Sequence, residues 1–158
     1  MTRALRVGLT GTPGTGKTSI TRVLSELALT RSVSDLADER GFLGLPEPEE
    51  GVKEIDIDNL VSSLEGEWVT EPDGLTIIEG HLAHNLPCDA VVVLRCDPDI
   101  LRSRLEKRGY PERKINDNVE WELMGACGTS SKKMESLGPS LTVRALRLRI
   151  LRNRLWNG

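Results

Sequence analysis

Near its amino terminus the chain reads Gly11-Thr12-Pro13-Gly14-Thr15-Gly16-Lys17-Thr18, which fits the pattern G-x-x-x-x-G-K-[ST] at every fixed position. Before it, Leu5, Val7 and Leu9 belong to a short apolar run suited to a buried parallel strand. After it, Ile20, Val23, Leu24, Leu27 and Ala28 recur at i, i+3, i+4, i+7 and i+8, one apolar face of a helix. The predicted order is strand, glycine loop, helix. Gly11, Gly14 and Gly16 open backbone conformations closed to residues with side chains. Successive N–H groups can then turn inward around phosphate oxygens at the positive end of the helix dipole. Lys17 supplies a mobile charge for the β- and γ-phosphates of a nucleotide, and the Thr18 hydroxyl can hold Mg²⁺.

A chain of 158 residues fits one domain with a substantial core, read here as a single unit over 1–158. With a formal net charge of −3, whole-chain charge does not point to nucleic acid. The distribution is less even: Asp35 to Asp58 is strongly acidic, and the chain from Lys132 onward is basic. The acidic stretch reads as solvated surface. Cys88, Cys96 and Cys127 are too far apart for a C-x-x-C pair and odd in number, so they read as reduced thiols of a cytoplasmic protein. No apolar run approaches the roughly 18 residues of a membrane span, and the start of the chain has no signal-peptide pattern.

Ser32 to Ser34 reads as a second short strand and Asp35 to Arg40 as a helical turn. Gly41 to Gly51, with Pro46 and Pro48, reads as an irregular loop. Leu60, Val61 and Leu64 suggest a helix closed by Gly66. Leu75-Thr76-Ile77-Ile78 is a buried strand ending at Glu79-Gly80-His81, and Ala90 to Arg95 is the clearest strand of all. Asp97-Pro98 opens a helix with Ile100, Leu101 and Leu105 on an apolar side and Arg102, Arg104 and Arg108 on a basic one. Strands alternating with helices imply a parallel sheet covered on both faces, with ligands at the carboxyl ends of its strands.

Glu79 stands where an acid at a strand end can hold Mg²⁺ through water or orient a nucleophile. His81 can contact phosphate or a catalytic water, whereas His84 reads as structural. Arg104 to Lys114 concentrates positive charge around Gly109. Phosphoryl transfer needs cations around the migrating group, so a mobile basic flap suits it.

Several elements together resemble the adenylate kinase 6-like family, also called the CINAP family, whose archaeal members carry the name "putative adenylate kinase". They are Thr10 to Ser19, Glu79-Gly80-His81, Val93-Leu94-Arg95, Arg104-Leu105, Arg108-Gly109-Tyr110, Lys114 and Asn118. The resemblance runs from Leu5 to about Glu122. It implies an α/β P-loop fold of the nucleoside monophosphate kinase type, with a monophosphate-binding segment near 32–57 and a short lid near 107–117. It implies that Gly14, Gly16, Lys17, Thr18 and Ser19 bind ATP and that Arg108 contacts its phosphates from the lid. The expected activity is phosphoryl transfer from Mg·ATP to AMP or a related acceptor, with Lys17, Glu79, His81 and Arg108 as catalytic candidates and Thr18 and Glu79 toward the metal. The family also implies a second role, a nucleotide-switched ATPase that engages a small-subunit ribosomal protein and rRNA during assembly.

The chain departs from the family pattern in three places. After Asp35-Leu36-Ala37 the family commonly has Arg; this chain has Asp38, with Arg40 two residues on, so acceptor binding is weak or rebuilt around Arg40. Glu79 replaces an Asp. Beyond the lid, Val119 to Ala126 reads as the start of a helix, but a last strand is hard to find. Leu141, Ala145, Leu148, Leu151 and Leu155 are spaced for one face of a basic amphipathic helix. That segment reads as a core-packing final helix, with an RNA- or partner-binding tail and an altered terminus as alternatives.

Overall fold

The computed structural model describes residues 4–46 and 53–124, together with the backbone of 135–136 and 141–144. In chain order the elements are β1 (Leu5–Gly11), α1 (Lys17–Leu24), β2 (Leu29–Ser32), α2 (Val33–Glu39), β3 (Leu43–Pro46), β4 (Lys53–Ile55), α3 (Ile57–Glu67) and β5 (Leu75–Glu79). A short 3-10 turn at Ala83–Asn85 follows, then β6 (Ala90–Leu94), α4 (Pro98–Lys107), α5 (Glu112–Leu123), β7 (Glu135–Ser136) and β8 (Leu141–Arg144). The main sheet has the order β2-β5-β1-β6-β8-β7. Its first four strands are parallel, with β1 between β5 and β6, while β8 runs antiparallel to β6. The expected parallel sheet thus carries an antiparallel edge.

Alternation along β5 divides the core. Ile77 packs with Leu9 and Leu94 against Ile20, Leu24 and Ala28. Ile78, one residue on and therefore on the opposite face, packs with Val33 and Leu36 of α2, Leu60 and Leu64 of α3, and Ala83 and Leu86. Helical layers thus cover both faces, as the strand–helix alternation predicts. A further cluster of Leu101, Leu105 and Ile115 joins α4 to α5. Ser32, Asp56 and Asp97 cap the amino termini of α2, α3 and α4, each side-chain oxygen accepting a backbone N–H two or three residues on.

Local readings differ from the structure in several places. α1 stops at Leu24, Val23 within it and Leu27 beyond it are exposed, and the packed face of the predicted helix reduces to the partly buried Ile20, Leu24 and Ala28. The second strand is Leu29–Ser32, and Val33 already belongs to α2 because the Ser32 hydroxyl caps it. Part of the predicted loop 41–51 is the strand β3, paired antiparallel with β4. α3 runs one residue past Gly66, and Ile100 lies outside the apolar side of α4. α5 begins at Glu112 rather than Val119, so the second half of the predicted lid is helical. Leu141 lies in β8, not in a helix, and the other positions of that predicted face lie outside the described residues.

Leu101 is fully buried, with Cδ1 2.8 Å from where a Cβ at Gly14 would stand, so the α4 core bears directly on the glycine loop. Leu101→Ala is expected to cost about 2–5 kcal/mol, while Ile100→Ala, at an exposed site on the same helix, should stay within about 0.5 kcal/mol. Urea midpoints at constant slope read both effects.

Candidate active site

The loop joining β1 to α1 lies at the carboxyl edge of the sheet, flanked by the ends of β5 and β6. Leu9 is in register with Glu79, and Gly11 with Leu94. Gly11 and Gly14 have φ of 147° and 93°, and both are crowded. A Cβ at Gly11 would stand 2.6 Å from the Leu94 carbonyl oxygen, so no side chain fits there. Gly16, at φ 104°, precedes α1 with nothing within 4 Å of a Cβ position and with no side chain capping the helix. No side chain caps the first N–H groups of α1, and the positive end of a helix is a fit for phosphate oxygens.

The side chains around this opening are those the motif predicts. Lys17 Nζ donates to the Gly11 carbonyl at 2.7 Å and to the Thr12 carbonyl at 3.2 Å, so its ammonium is folded over the loop. Thr18 and Ser19 are exposed on the first turn of α1. An exposed hydroxyl there and the half-buried Glu79 carboxylate at the end of the adjacent strand are oxygen donors suited to a hard divalent cation.

Behind Glu79 the turn to His81 is fastened to β1. The Gly80 N–H donates to the Leu9 carbonyl at 3.0 Å, and the buried Thr10 hydroxyl donates to the His81 carbonyl at 2.8 Å. His84 Nδ1 lies 3.0 Å from the same carbonyl, which gives this histidine the structural role expected of it. The His81 ring is held below the ordinary imidazole value of 6.5, first by partial burial, then by the Lys17 ammonium and to a lesser extent by His84, against an opposing contact with the Gly11 backbone.

The basic stretch after β6 divides by task. Arg102 pairs with Glu112 at 2.8 Å and also bonds Asn116, tying α4 to α5. Arg104 Nη1 donates to the Gly14 carbonyl at 3.1 Å. Lys114 lies over the Tyr110 ring. Arg108, the residue after α4, is exposed, and among the described residues no carboxylate or carbonyl holds its guanidinium.

Arg40 is not brought to the loop. Its Nη2 lies 2.5 Å from Glu67 Oε2, and it lines a cavity of about 610 Å³ with Arg6, Trp68 and Gly74 at the amino-terminal edge of the sheet. Asp38 is exposed on α2. Cys88 is buried, and burial with the neighbouring Asp89 pushes its thiol up to about 12, so it is inert at neutral pH. Among the described residues no helix is long and apolar enough to cross a membrane.

Motif reading missed Glu122. This acid on α5 is almost fully buried, and its Oε2 accepts the Thr12 hydroxyl at 2.5 Å. Its Oε1 takes the Cys96 N–H at 3.0 Å and the Arg95 Nε at 2.8 Å. The only signal in the sequence was an acid amid the apolar spacing of Ile115, Val119 and Leu123, indistinguishable there from a surface residue.

Strand order, glycine loop and uncapped α1 together define a P-loop kinase-like α/β domain. The AAA domain family model matches residues 7–125. A protein of Methanothermobacter thermautotrophicus named "Putative adenylate kinase" is 42% identical over 121 residues, covering 75% of this chain and 68% of its own. One of the same name from Methanocaldococcus jannaschii is 33% identical over 130 residues, covering 81% and 72%. The chain belongs to the AAA domain family and to the group of these archaeal relatives. Among solved structures, a shikimate kinase from Bacteroides thetaiotaomicron shares the fold at TM-score 0.50 and 21% identity, covering 77% of this chain and 78% of its own.

The lowered His81 value fixes the sign of one pH effect. Between the depressed folded value and 6.5 the unfolded chain binds more protons, so stability rises with pH across that window and falls as pH drops through it. His81→Gln should flatten this part of the urea midpoint profile, and an NMR titration should find the His81 midpoint below that of a free imidazole.

Proposed function

We propose that the chain is an ATP-dependent nucleoside monophosphate kinase that transfers the γ-phosphoryl group of Mg·ATP to AMP or a closely related acceptor. The observation that carries this reading is the uncapped amino terminus of α1, set behind a glycine loop that crowding at Gly11 and Gly14 holds in shape, beside Lys17, Glu79 and His81. Family membership supports it.

Catalysis in this reading is alignment and charge neutralisation. The N–H groups of Gly14, Gly16, Lys17, Thr18 and Ser19 bind the triphosphate. Lys17 exchanges the Gly11 and Thr12 carbonyls for phosphate oxygens. Mg²⁺, held through the Thr18 hydroxyl and Glu79, would supply charge neutralisation between the phosphates. His81, neutral at physiological pH, offers one ring nitrogen as an acceptor near the ammonium without adding a second positive charge. Arg108 swings from the α4–α5 turn onto the phosphates, within a lid near 107–117, while the segment near 32–57 receives the acceptor.

One observation favours a second outcome at the same site. Asp38 occupies the position where the family pattern has Arg, and Arg40 is engaged with Glu67, so the acceptor side is poor in cations. ATP hydrolysis, with a small-subunit ribosomal protein and rRNA as partners in the cytoplasm, is the reading this favours. ADP formation from ATP with and without AMP, across a monophosphate panel, separates the two. Acceleration by a monophosphate with a diphosphate product supports the kinase. Acceptor-independent ADP formation together with ATP-dependent co-sedimentation with small-subunit particles supports the assembly factor.

Lys17→Ala should leave the melting curve near that of the parent and lower turnover on the order of 10²-fold or more, the scale of one lost preorganised charge. Native-like turnover in the folded variant would rule out the loop as the reacting centre. Arg108→Ala should shift the melting point little, because an exposed cation contributes little to folding, while turnover falls markedly. If both parameters of Arg108→Ala match the parent, the lid role is lost.

A further inference from the structure

Three segments converge on one buried carboxylate. Glu122 is 3% exposed and lies on the last turn of α5. Through Thr12 it holds the second residue of the phosphate loop, and through Cys96 and Arg95 it holds the connection between β6 and α4. The Arg95 guanidinium donates a second time, to the Glu122 carbonyl at 2.5 Å, so both the main chain and the side chain of this residue are gripped. Thr12 is in turn the hub of the loop. Its carbonyl accepts the Thr15 N–H at 3.2 Å, the Thr15 hydroxyl at 2.7 Å and the Lys17 ammonium at 3.2 Å. Arg104 of α4 adds a second support at the Gly14 carbonyl.

We infer that Glu122 is a positioning residue for the donor nucleotide: by fixing the Thr12 side chain it orients the Thr12 peptide, and thereby sets the turn that Thr15 closes and the place from which Lys17 reaches the phosphates. This deepens, and rests on, the nucleotide-binding reading above. The chemistry explains why an acid is needed. All three side-chain bonds bring hydrogens to position 122, so a carboxylate, an acceptor at both oxygens, satisfies them, whereas the amide of Gln presents a donor at one end. In Glu122→Gln the Thr12 hydroxyl must turn to accept or lose its partner, and the part-buried Arg95 loses its counter-charge. The same tie joins the far end of α5 to the loop, so the helix that begins within the proposed lid is anchored where the phosphates bind.

The test uses the full chain in four forms: parent, Glu122→Gln, Thr12→Val and Thr12→Ser. Amide hydrogen exchange without nucleotide follows the Thr15 and Cys96 N–H groups, with α3 and β5 amides as the control for the fold. Mg·ATP binding is followed by calorimetry, and the acceptor KM by AMP titration. In Glu122→Gln and Thr12→Val the Thr15 amide should exchange roughly tenfold faster with the control amides unchanged, and the Kd for Mg·ATP should rise roughly tenfold, the scale of one charge-assisted hydrogen bond. The KM for AMP should stay within about twofold, and Thr12→Ser, which keeps the hydroxyl, should restore both donor-side readings to near parent values. Unchanged Thr15 exchange and Mg·ATP affinity in both damaging variants would overturn the inference, as would faster exchange spread equally over α3 and β5. If the parent itself fails to bind Mg·ATP, the functional reading falls, and Thr15 exchange alone then decides whether Glu122 sets the loop.

Discussion

The carboxyl edge of the sheet depends on a single tight passage, the point where the backbone leaves β1 at Gly11 beneath the Leu94 carbonyl. The 2.6 Å separation from a would-be Cβ means that β6 and the loop are packed backbone to backbone, with no side chain between them to yield. Everything downstream inherits that closeness. The Gly11 carbonyl is left pointing where Lys17 can reach it, and Gly14 is pressed under Leu101 and Leu105 of α4. The loop is therefore shaped by β6 and α4 as much as by its own sequence. Because two of the groups holding Lys17 are neutral carbonyls, charged phosphate oxygens compete well for the ammonium. The ammonium makes both present bonds charge-assisted already; what an anionic oxygen adds is the attraction of a full opposite charge.

What could be read from the sequence, and what could not, follows from the range of the interactions involved. The loop, the ends of β5 and β6 and the Asp97 cap are local features, in which the residues that make the structure sit within a few positions of one another. Alternation at Ile77 and Ile78 could be read as a buried strand, but which layer each residue faced depended on helices distant in sequence. The limits of α1 are not legible because Leu27 and Ala28 continue the periodicity after the helix has ended at Leu24, and Val23, within the helix, faces outward despite fitting the same pattern. Periodicity reports where a helix could continue; tertiary packing decides where it stops. Glu122 was the largest omission, because its partners lie 110 and 26 residues away and nothing in its neighbourhood marks it as buried.

The two sides of the proposed reaction are built to different standards. On the donor side α4 and α5 brace the loop through Arg104 and Glu122 and are tied to each other by Arg102, so few side chains need to reorganise when phosphates arrive. On the proposed acceptor side α2 presents Asp35, Asp38 and Glu39; Arg31 pairs with Glu39, while Arg40 is shared between Glu39 and Glu67.

The buried cluster at Glu122 bears on this contrast, because stability is a weak reason for its existence. Taking a carboxylate and a guanidinium out of water is costly, and well-packed apolar residues of similar size often serve stability equally well. An apolar residue at 122 would nevertheless strand the Thr12 hydroxyl and the Cys96 N–H away from water, and each stranded group costs about 1–3 kcal/mol. It would also free the Thr12 peptide to rotate. The acid is thus better explained by the direction it imposes than by the energy it returns. Thr12 is where that direction matters, since its carbonyl is shared by Thr15, which closes the turn, and by the Lys17 ammonium. With its first turns in the proposed lid and its last turn bonded to Thr12, α5 couples the position of one end to that of the other.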